Sequence, residues 1–201
     1  GLAVHGGSGE SFGVIEAMCE ATGKKYLELV HRIDKDTSGL LMIAKKRSTL
    51  KALQEHLREK TMQKIYLALV DGWVGKDSQV IDKPLLKFNL PSGERRVKVH
   101  AKSEDSKPSQ TQVKVIQKLD INGQKVTLIE AKPLTGRTHQ IRVHMASIGH
   151  PLLGDDKYNP QDKLNVRRLC LHAYQLEIPE YDVISAPLPE DMQTLIGTKT
   201  A

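Results

Sequence analysis

Long apolar runs are missing from this sequence. No stretch approaches the roughly 20 residues that cross a bilayer, and no charged-then-apolar leader pattern is visible. Cysteine is scarce too. Cys19 and Cys170 show no CxxC pairing and no metal-ligand spacing, which excludes a disulfide framework and a zinc module. Both lie among apolar neighbours and read as core thiols of a reducing compartment, so a cytoplasmic protein is expected. The eight histidines are scattered. His139 and His144 do not share a helical face, and no Glu completes HExxH, so no metal is expected. Nucleophile elbow, P-loop and dinucleotide glycine patterns are all absent. So are internal repeats and low-complexity tracts.

What is present is an ordinary globular composition. The 201 residues are 39 % hydrophobic and 27 % charged, enough for one large domain or two small lobes. Thirty Lys and Arg against 24 acids leave +6, with a pI near 9.2. This excess suits a merely soluble basic protein or one with a polyanionic partner such as nucleic acid. Charge alone does not separate the two.

The densest polar stretch is His31-Arg32-Ile33-Asp34-Lys35-Asp36-Thr37-Ser38, which then meets Gly39. Two carboxylates, two cations, a His and two hydroxyls fall within eight residues. The run Leu40–Ala44 is apolar and reads as a buried strand. The cluster thus sits on a loop feeding a rigid element, a common place for a catalytic group. Asp34 is the candidate, and the flanking Arg32 and Lys35 favour its ionised form. The competing reading is a plain turn, in which Asp and Ser bond their own backbone and Gly takes positive φ.

Other elements follow from spacing. A helix is expected over 11–21, ended by Thr22-Gly23. A second helix runs to about residue 60, capped by Ser48, with Leu50, Leu53 and Leu57 buried. Seven cations but only two acids lie between Ala44 and Lys64. They form either a solvated face or a phosphate-tracking surface. Residues 63–70 alternate as a strand, with Ile65, Leu67 and Leu69 on one side and Tyr66, Ala68 and Val70 on the other. A short strand is expected over 80–85 and an edge strand over 94–100. Asn122-Gly123 joins strands 111–118 and 125–132 as a hairpin. Thr138 is the expected cap of a helix with Ile141, Met145 and Ile148 on its apolar face, ended by Gly149. Arg137 stands at its mouth, a generic anion site. Residues 150–158 read as a strand start and an acid-rich turn, and 169–173 as a buried strand.

His31-Arg32-Ile33-Asp34-x-x-Thr37-Ser38-Gly39 resembles the catalytic motif of the RluA-type pseudouridine synthases. The likeness is nearest to that family's C-type large-subunit group. It covers nearly the whole chain. Gly136-Arg137-Thr138-His139-Gln140-Ile141-Arg142-Val143-His144 is a nine-residue match. Lys64-x-Tyr66-x-Ala68-x-Val70, Lys107-Pro108-Ser109-x-Thr111, the 150–158 segment, Leu169–Ala173 and Ala186–Pro189 carry it further. Residues 178–185 lack the family's His-Pro, which leaves a hairpin there open. Gly1–His5 resembles the second half of a first motif. Residues 1–201 therefore read as an N-terminally incomplete catalytic domain, with a small RNA-binding domain expected upstream.

The resemblance implies an α+β fold: a mixed, largely antiparallel sheet flanked by helices and loops, with a central catalytic cleft. It implies Asp34 as the essential acid, either nucleophile or base. Arg142 is then its cationic partner, Tyr66 stacks on the target base, and Arg32 fills the space the base leaves. Thr37, Lys45, Lys46, Arg47, Lys64, Arg137, His139 and Gln140 are the implied RNA contacts. The implied reaction is an isomerisation in RNA, of 23S ribosomal RNA first and tRNA second. It needs no cofactor, and the implied enzyme is a monomer with no membrane attachment.

Two rivals come from other classes. Asp34-x-Asp36 with Gly154-Asp155-Asp156 loosely echoes Mg²⁺-dependent aspartyl-phosphate phosphatases. Their first Asp follows a long apolar strand, whereas Leu29-Val30-His31-Arg32 precedes Asp34. A non-catalytic RNA-binding domain has no use for a carboxylate facing phosphates.

Overall fold

The computed structural model describes residues 2–4 and 12–197. Its fold is α+β. In chain order the elements are α1 (Val14–Thr22), β1 (Glu28–Leu29), β2 (Ser38–Gly39), β3 (Ile43–Ala44), α2 (Arg47–Arg58), β4 (Gln63–Asp71), β5 (Ser78–Asp82), β6 (Leu85–Asn89), β7 (Arg95–Val99), β8 (Gln110–Ile121), β9 (Gln124–Pro133), α3 (Gln140–Ser147), β10 (Leu171–Glu177), β11 (Ile184–Ser185) and α4 (Glu190–Gly197). The chain forms two compact units. One holds Gly1–Lys64 and Ala173–Pro187, the other Ile65–His172 and Leu188–Ala201.

In the first unit α1 ends where expected. Gly23 adopts φ +64°, a left-handed cap that a residue without Cβ takes at no steric cost. Ser11 at its expected start, and Gly1 and His5 of the first family motif, lie outside the described residues. The apolar run 40–44 is not one strand. Ser38–Gly39 pairs with β10, and the Leu40 N–H continues that pairing to the Ala173 carbonyl at 2.9 Å. Ile43–Ala44 pairs instead with β1, as Leu29↔Ile43 and Glu28↔Ala44. The chain changes partner in between, so its apolarity reports burial rather than one strand.

Ser48 is not the cap of α2. Lys46 holds that position, and no side chain caps the helix. Leu50 and Leu53 are buried as their spacing demands, and Leu57 packs beside them. They share a core with Val30, Met42, Ala44, Met62, Leu176 and Ile178. The helix stops at Arg58, and Lys60 turns to φ +58°. β10 and β11 do form a hairpin, with Gln175↔Ser185 and Leu176↔Ile184, although the family's His-Pro is missing.

The second unit is built on antiparallel strands in the order β4-β9-β8-β5. The β8–β9 hairpin turns on Asn122 and Gly123, at φ +51° and +80°. Those angles match the right-handed strand twist, which is why the dipeptide signals a hairpin. β4 is not half-exposed: Ile65, Tyr66, Ala68, Leu69 and Val70 are all buried. Leu69 belongs to the unit's main core with Ile121, Val126, Leu128, Leu153, Cys170 and Met192. Met192 comes from α4, which residue spacing did not announce. β6 and β7 form a separate two-stranded sheet. α3 packs against β7, β8 and β9 and is buried along residues 140–145. Such enclosure removes the amphipathic stripe expected of a surface helix.

Candidate active site

The Asp34 loop is closed at its base by one backbone bond and one backbone-to-side-chain bond. The Val30 N–H donates to the Met42 carbonyl at 3.1 Å, and the Met42 N–H donates to His31 Nε2 at 3.0 Å. His31 and Met42, eleven positions apart, thus bracket the loop. Because Nε2 accepts, the ring proton sits on Nδ1 and the imidazole is neutral. Burial, and then the charge of Lys64, push His31 down to about 4. Burial also lowers Lys64. At the loop tip the Thr37 N–H donates to the Asp34 carbonyl at 3.0 Å. The turn and the half-buried carboxylate therefore coexist, and the two sequence readings of this stretch are compatible.

Gly39 anchors the far side of the loop. It lies at φ +106°, and a Cβ there would sit 2.2 Å from the Ala173 carbonyl oxygen. The positive φ was legible from Thr-Ser-Gly, but the backbone contact was not. Thr37 is buried, and its hydroxyl meets no hydrogen-bond partner among the described residues. Arg32, Lys45, Lys46 and Arg47 are exposed. Arg47 reaches Glu28 at 3.3 Å, a solvent-screened pair. Lys64 differs from them in being half-buried.

The other five expected residues belong to the second unit. Tyr66 faces Ala131 across the β4–β9 ladder and is buried. Arg142, on α3, is 4 % exposed and forks onto Asp155. Its Nε meets Oδ2 at 2.8 Å and its Nη2 meets Oδ1 at 2.7 Å. This geometry is the strong bidentate form of an ion pair. Asp155 also accepts the N–H groups of Lys157 and Tyr158, each at 3.1 Å. The Tyr158 ring lies 5.2 Å from the Arg142 guanidinium carbon. Its hydroxyl accepts the Val97 N–H at 3.0 Å and sits 2.7 Å from His139 Nδ1.

His139, not Thr138, occupies the cap position of α3, at φ +53°. Its ring is held against Tyr158, so this left-handed residue is fixed by tertiary contact rather than by a capping side chain. Gln140 braces the preceding loop. Its Oε1 accepts from the Thr135 hydroxyl at 2.7 Å and the Arg137 N–H at 3.0 Å. Its Nε2 donates to the Gln110 carbonyl at 2.8 Å and to Thr111 Oγ1 at 3.0 Å. All four bonds are internal, so Gln140 holds the loop in shape rather than offering its amide outward. Arg137 is exposed, with Nε on the Pro108 carbonyl at 3.1 Å. His144 is a core histidine between Thr111 and the Lys83 carbonyl.

Three residues with clear roles here were not among the site residues that the family resemblance implied. His31 closes the Asp34 loop, Asp155 holds Arg142, and Tyr158 links Arg142 to His139. A signal existed for Asp155, since a buried arginine demands a carboxylate. Its place in an acid-rich turn concealed that. Among the described residues no three His, Cys, Asp or Glu side chains are grouped to hold a metal ion. No described helix is long and apolar enough to cross a membrane.

Comparison with known proteins gives a consistent picture. The sequence model of the RNA pseudouridylate synthase family matches residues 1–147. The ribosomal large subunit pseudouridine synthase C of Pasteurella multocida is 47 % identical, over 98 % of this chain and 62 % of that protein. That of Escherichia coli K12 is 46 % identical, over 96 % of this chain and 63 % of that protein. The chain thus spans somewhat less than two thirds of these relatives' length. Among solved structures, human RNA pseudouridylate synthase domain containing 1 superposes with TM-score 0.71 at 30 % identity, covering 82 % of this chain and 69 % of that one. Human RNA pseudouridylate synthase domain containing 4 gives TM-score 0.76 at 24 % identity, over 98 % of this chain and 87 % of that one, a likeness of fold. The match extends over both the Asp34 loop and the whole of α3, and the chain belongs to the RNA pseudouridylate synthase family.

Proposed function

We propose that this chain is the catalytic domain of an enzyme that isomerises uridine to pseudouridine in large-subunit (23S) ribosomal RNA. The observation that carries the proposal is the immobilised Asp34 turn, stapled at His31–Met42 and wedged at Gly39–Ala173, in a chain of this family. A carboxylate that must meet one sugar or base needs such a fixed mount. The bond from C1′ to N1 breaks, the base turns, and C1′ joins C5. The C5 proton leaves and N1 gains one, so no electrons are exchanged with a cofactor.

The target base must first leave its stack, at a cost of a few kcal/mol. In this reading exposed Arg32 occupies the space it leaves. Tyr66 supplies the aromatic surface for it, and Asp34 acts as nucleophile or base. Arg142 is the cationic partner of the reacting carboxylate in this reading. Lys45, Lys46 and Arg47 meet phosphates, and the setting is a cytoplasmic monomer. The phosphatase alternative is weakened by Asp155, whose carboxylate is already engaged by Arg142.

The deciding experiment maps pseudouridines in RNA from cells with and without the gene, and from cells carrying Asp34→Asn. Sites lost from large-subunit RNA in both altered strains are expected. Loss confined to tRNA would move the chain to a neighbouring specificity. An unchanged map would overturn the proposal.

A further inference from the structure

The second unit holds a cavity of about 380 Å³ that shares Arg137 with the expected RNA contacts and none of the other candidate-site residues. Its floor is apolar, formed by Leu85 of β6 and Val97 of β7, both buried against Val143 of α3. Three cations stand around it: Lys87, Lys107 and Arg137. None of the three makes an ion pair with another described residue. One carboxylate, Asp105, shares the rim.

The walls are preformed. Lys107 and Leu85 exchange both backbone hydrogen bonds, each at 2.9 Å, which ties the Lys107 segment to β6. Arg137 is held twice, through its Nε to the Pro108 carbonyl and its N–H to Gln140. Ligand pockets are generally concave, partly apolar and in place before the ligand arrives. At about 380 Å³ the space lies near the lower end of the roughly 300–1,000 Å³ usual for small-molecule sites. That volume is on the scale of a single nucleotide rather than a duplex.

The chemistry matches a nucleotide part by part. Unpaired cations attract a phosphate. An apolar floor receives the face of a base. A carboxylate accepts a hydrogen bond from an exocyclic amino group, as Asp and Glu do from cytosine N4. Uracil lacks such a group. Specific RNA recognition targets unpaired bases whose edges are free to bond. We propose that this cavity is a subsite for one unpaired nucleotide of the substrate RNA, distinct from the uridine that reacts. It selects bases that carry an exocyclic amino group. The inference rests on the RNA-substrate reading but not on which residue is catalytic.

The test is binding of fluorescent single-stranded hexamers of cytidine and of uridine to the whole chain at low salt. Cytidine hexamer is expected to bind at least about fivefold tighter, the lower end for discrimination at a base edge. Asp105→Ala, at an exposed position, is expected to abolish the preference, so that cytidine and uridine hexamers bind alike. Lys107→Ala is expected to weaken both equally and to lower the salt slope by about one. Equal affinities in the unaltered chain, or a preference untouched by Asp105→Ala, would overturn the subsite. Neither result depends on the pseudouridine map, so the two proposals fail separately.

Discussion

The guanidinium of Arg142 and the carboxylate of Asp155 meet through two parallel bonds of 2.8 and 2.7 Å inside the second unit. Both side chains are withdrawn from water, at 4 % and 0 % exposed. Removing one partner strands the other charge in a place it cannot be solvated. Asp155→Ala is therefore expected to cost roughly 3–5 kcal/mol of folding stability. Replacing both, as Arg142→Met with Asp155→Leu, is expected to recover much of that and none of the activity. Urea unfolding with an RNA turnover assay checks both halves.

His31 yields a pH prediction. Folded, its ring stays neutral down to about pH 4, because burial and then the charge of Lys64 disfavour the proton. Unfolded, it takes a proton near pH 6.5. Between these values the unfolded chain binds more protons, so the His31 contribution is full above pH 6.5 and is lost as pH falls towards 4. The loss is about 3 kcal/mol across that window. His31→Gln keeps an acceptor near the Nε2 position for the Met42 N–H and does not titrate. Its stability at pH 7 is expected to stay close to that of the unaltered chain, and its acid slope to be shallower. Denaturant midpoints at pH 7, 5.5 and 4.5 measure this, and parallel slopes would remove His31 from the account.

Gly39 and Gly123 separate backbone strain from collision. Both have positive φ, at +106° and +80°. A Cβ at Gly123 meets nothing within 4 Å, whereas at Gly39 it meets the Ala173 oxygen at 2.2 Å. Gly123→Ala is expected to cost about 1 kcal/mol or slightly more. Gly39→Ala is expected to cost several times that and to abolish turnover, because β2 must move off β10. Thermal melts of the two variants side by side give the comparison.

Lys45 tests the basic face beside α2. It is exposed and makes no ion pair with another described residue. Lys45→Ala is expected to weaken RNA binding across all sequences and to reduce the salt slope by about one phosphate contact, with little change in turnover at saturation. An unchanged slope would make this face a solvated surface.

Local features proved legible where they depend on a few neighbouring residues. Gly23 and Gly149 end their helices, Asn122-Gly123 turns its hairpin, and Leu50 and Leu53 face a core, because backbone angle and burial period are short-range properties. The family motifs around Asp34 and Arg142 were visible for the same reason. Partner choice was not. Leu40 pairs towards β10 and Ile43 towards β1, and apolarity is the same for either. Thr138 has the better capping side chain, yet His139 takes the position because Tyr158 holds its ring. Gln140 has the look of a nucleic-acid contact, and four internal bonds use up its amide.

The sequence by itself therefore determined the family, several helix ends and the main hairpin, and the loop on which the candidate acid stands. Only the tertiary structure decided that Asp155 binds Arg142, that His31 closes the Asp34 loop and that Gly39 must lie against Ala173. Those contacts join residues that composition treats alike. They are selected by burial: a charge or a backbone N–H removed from water takes whichever partner the packed chain brings within reach.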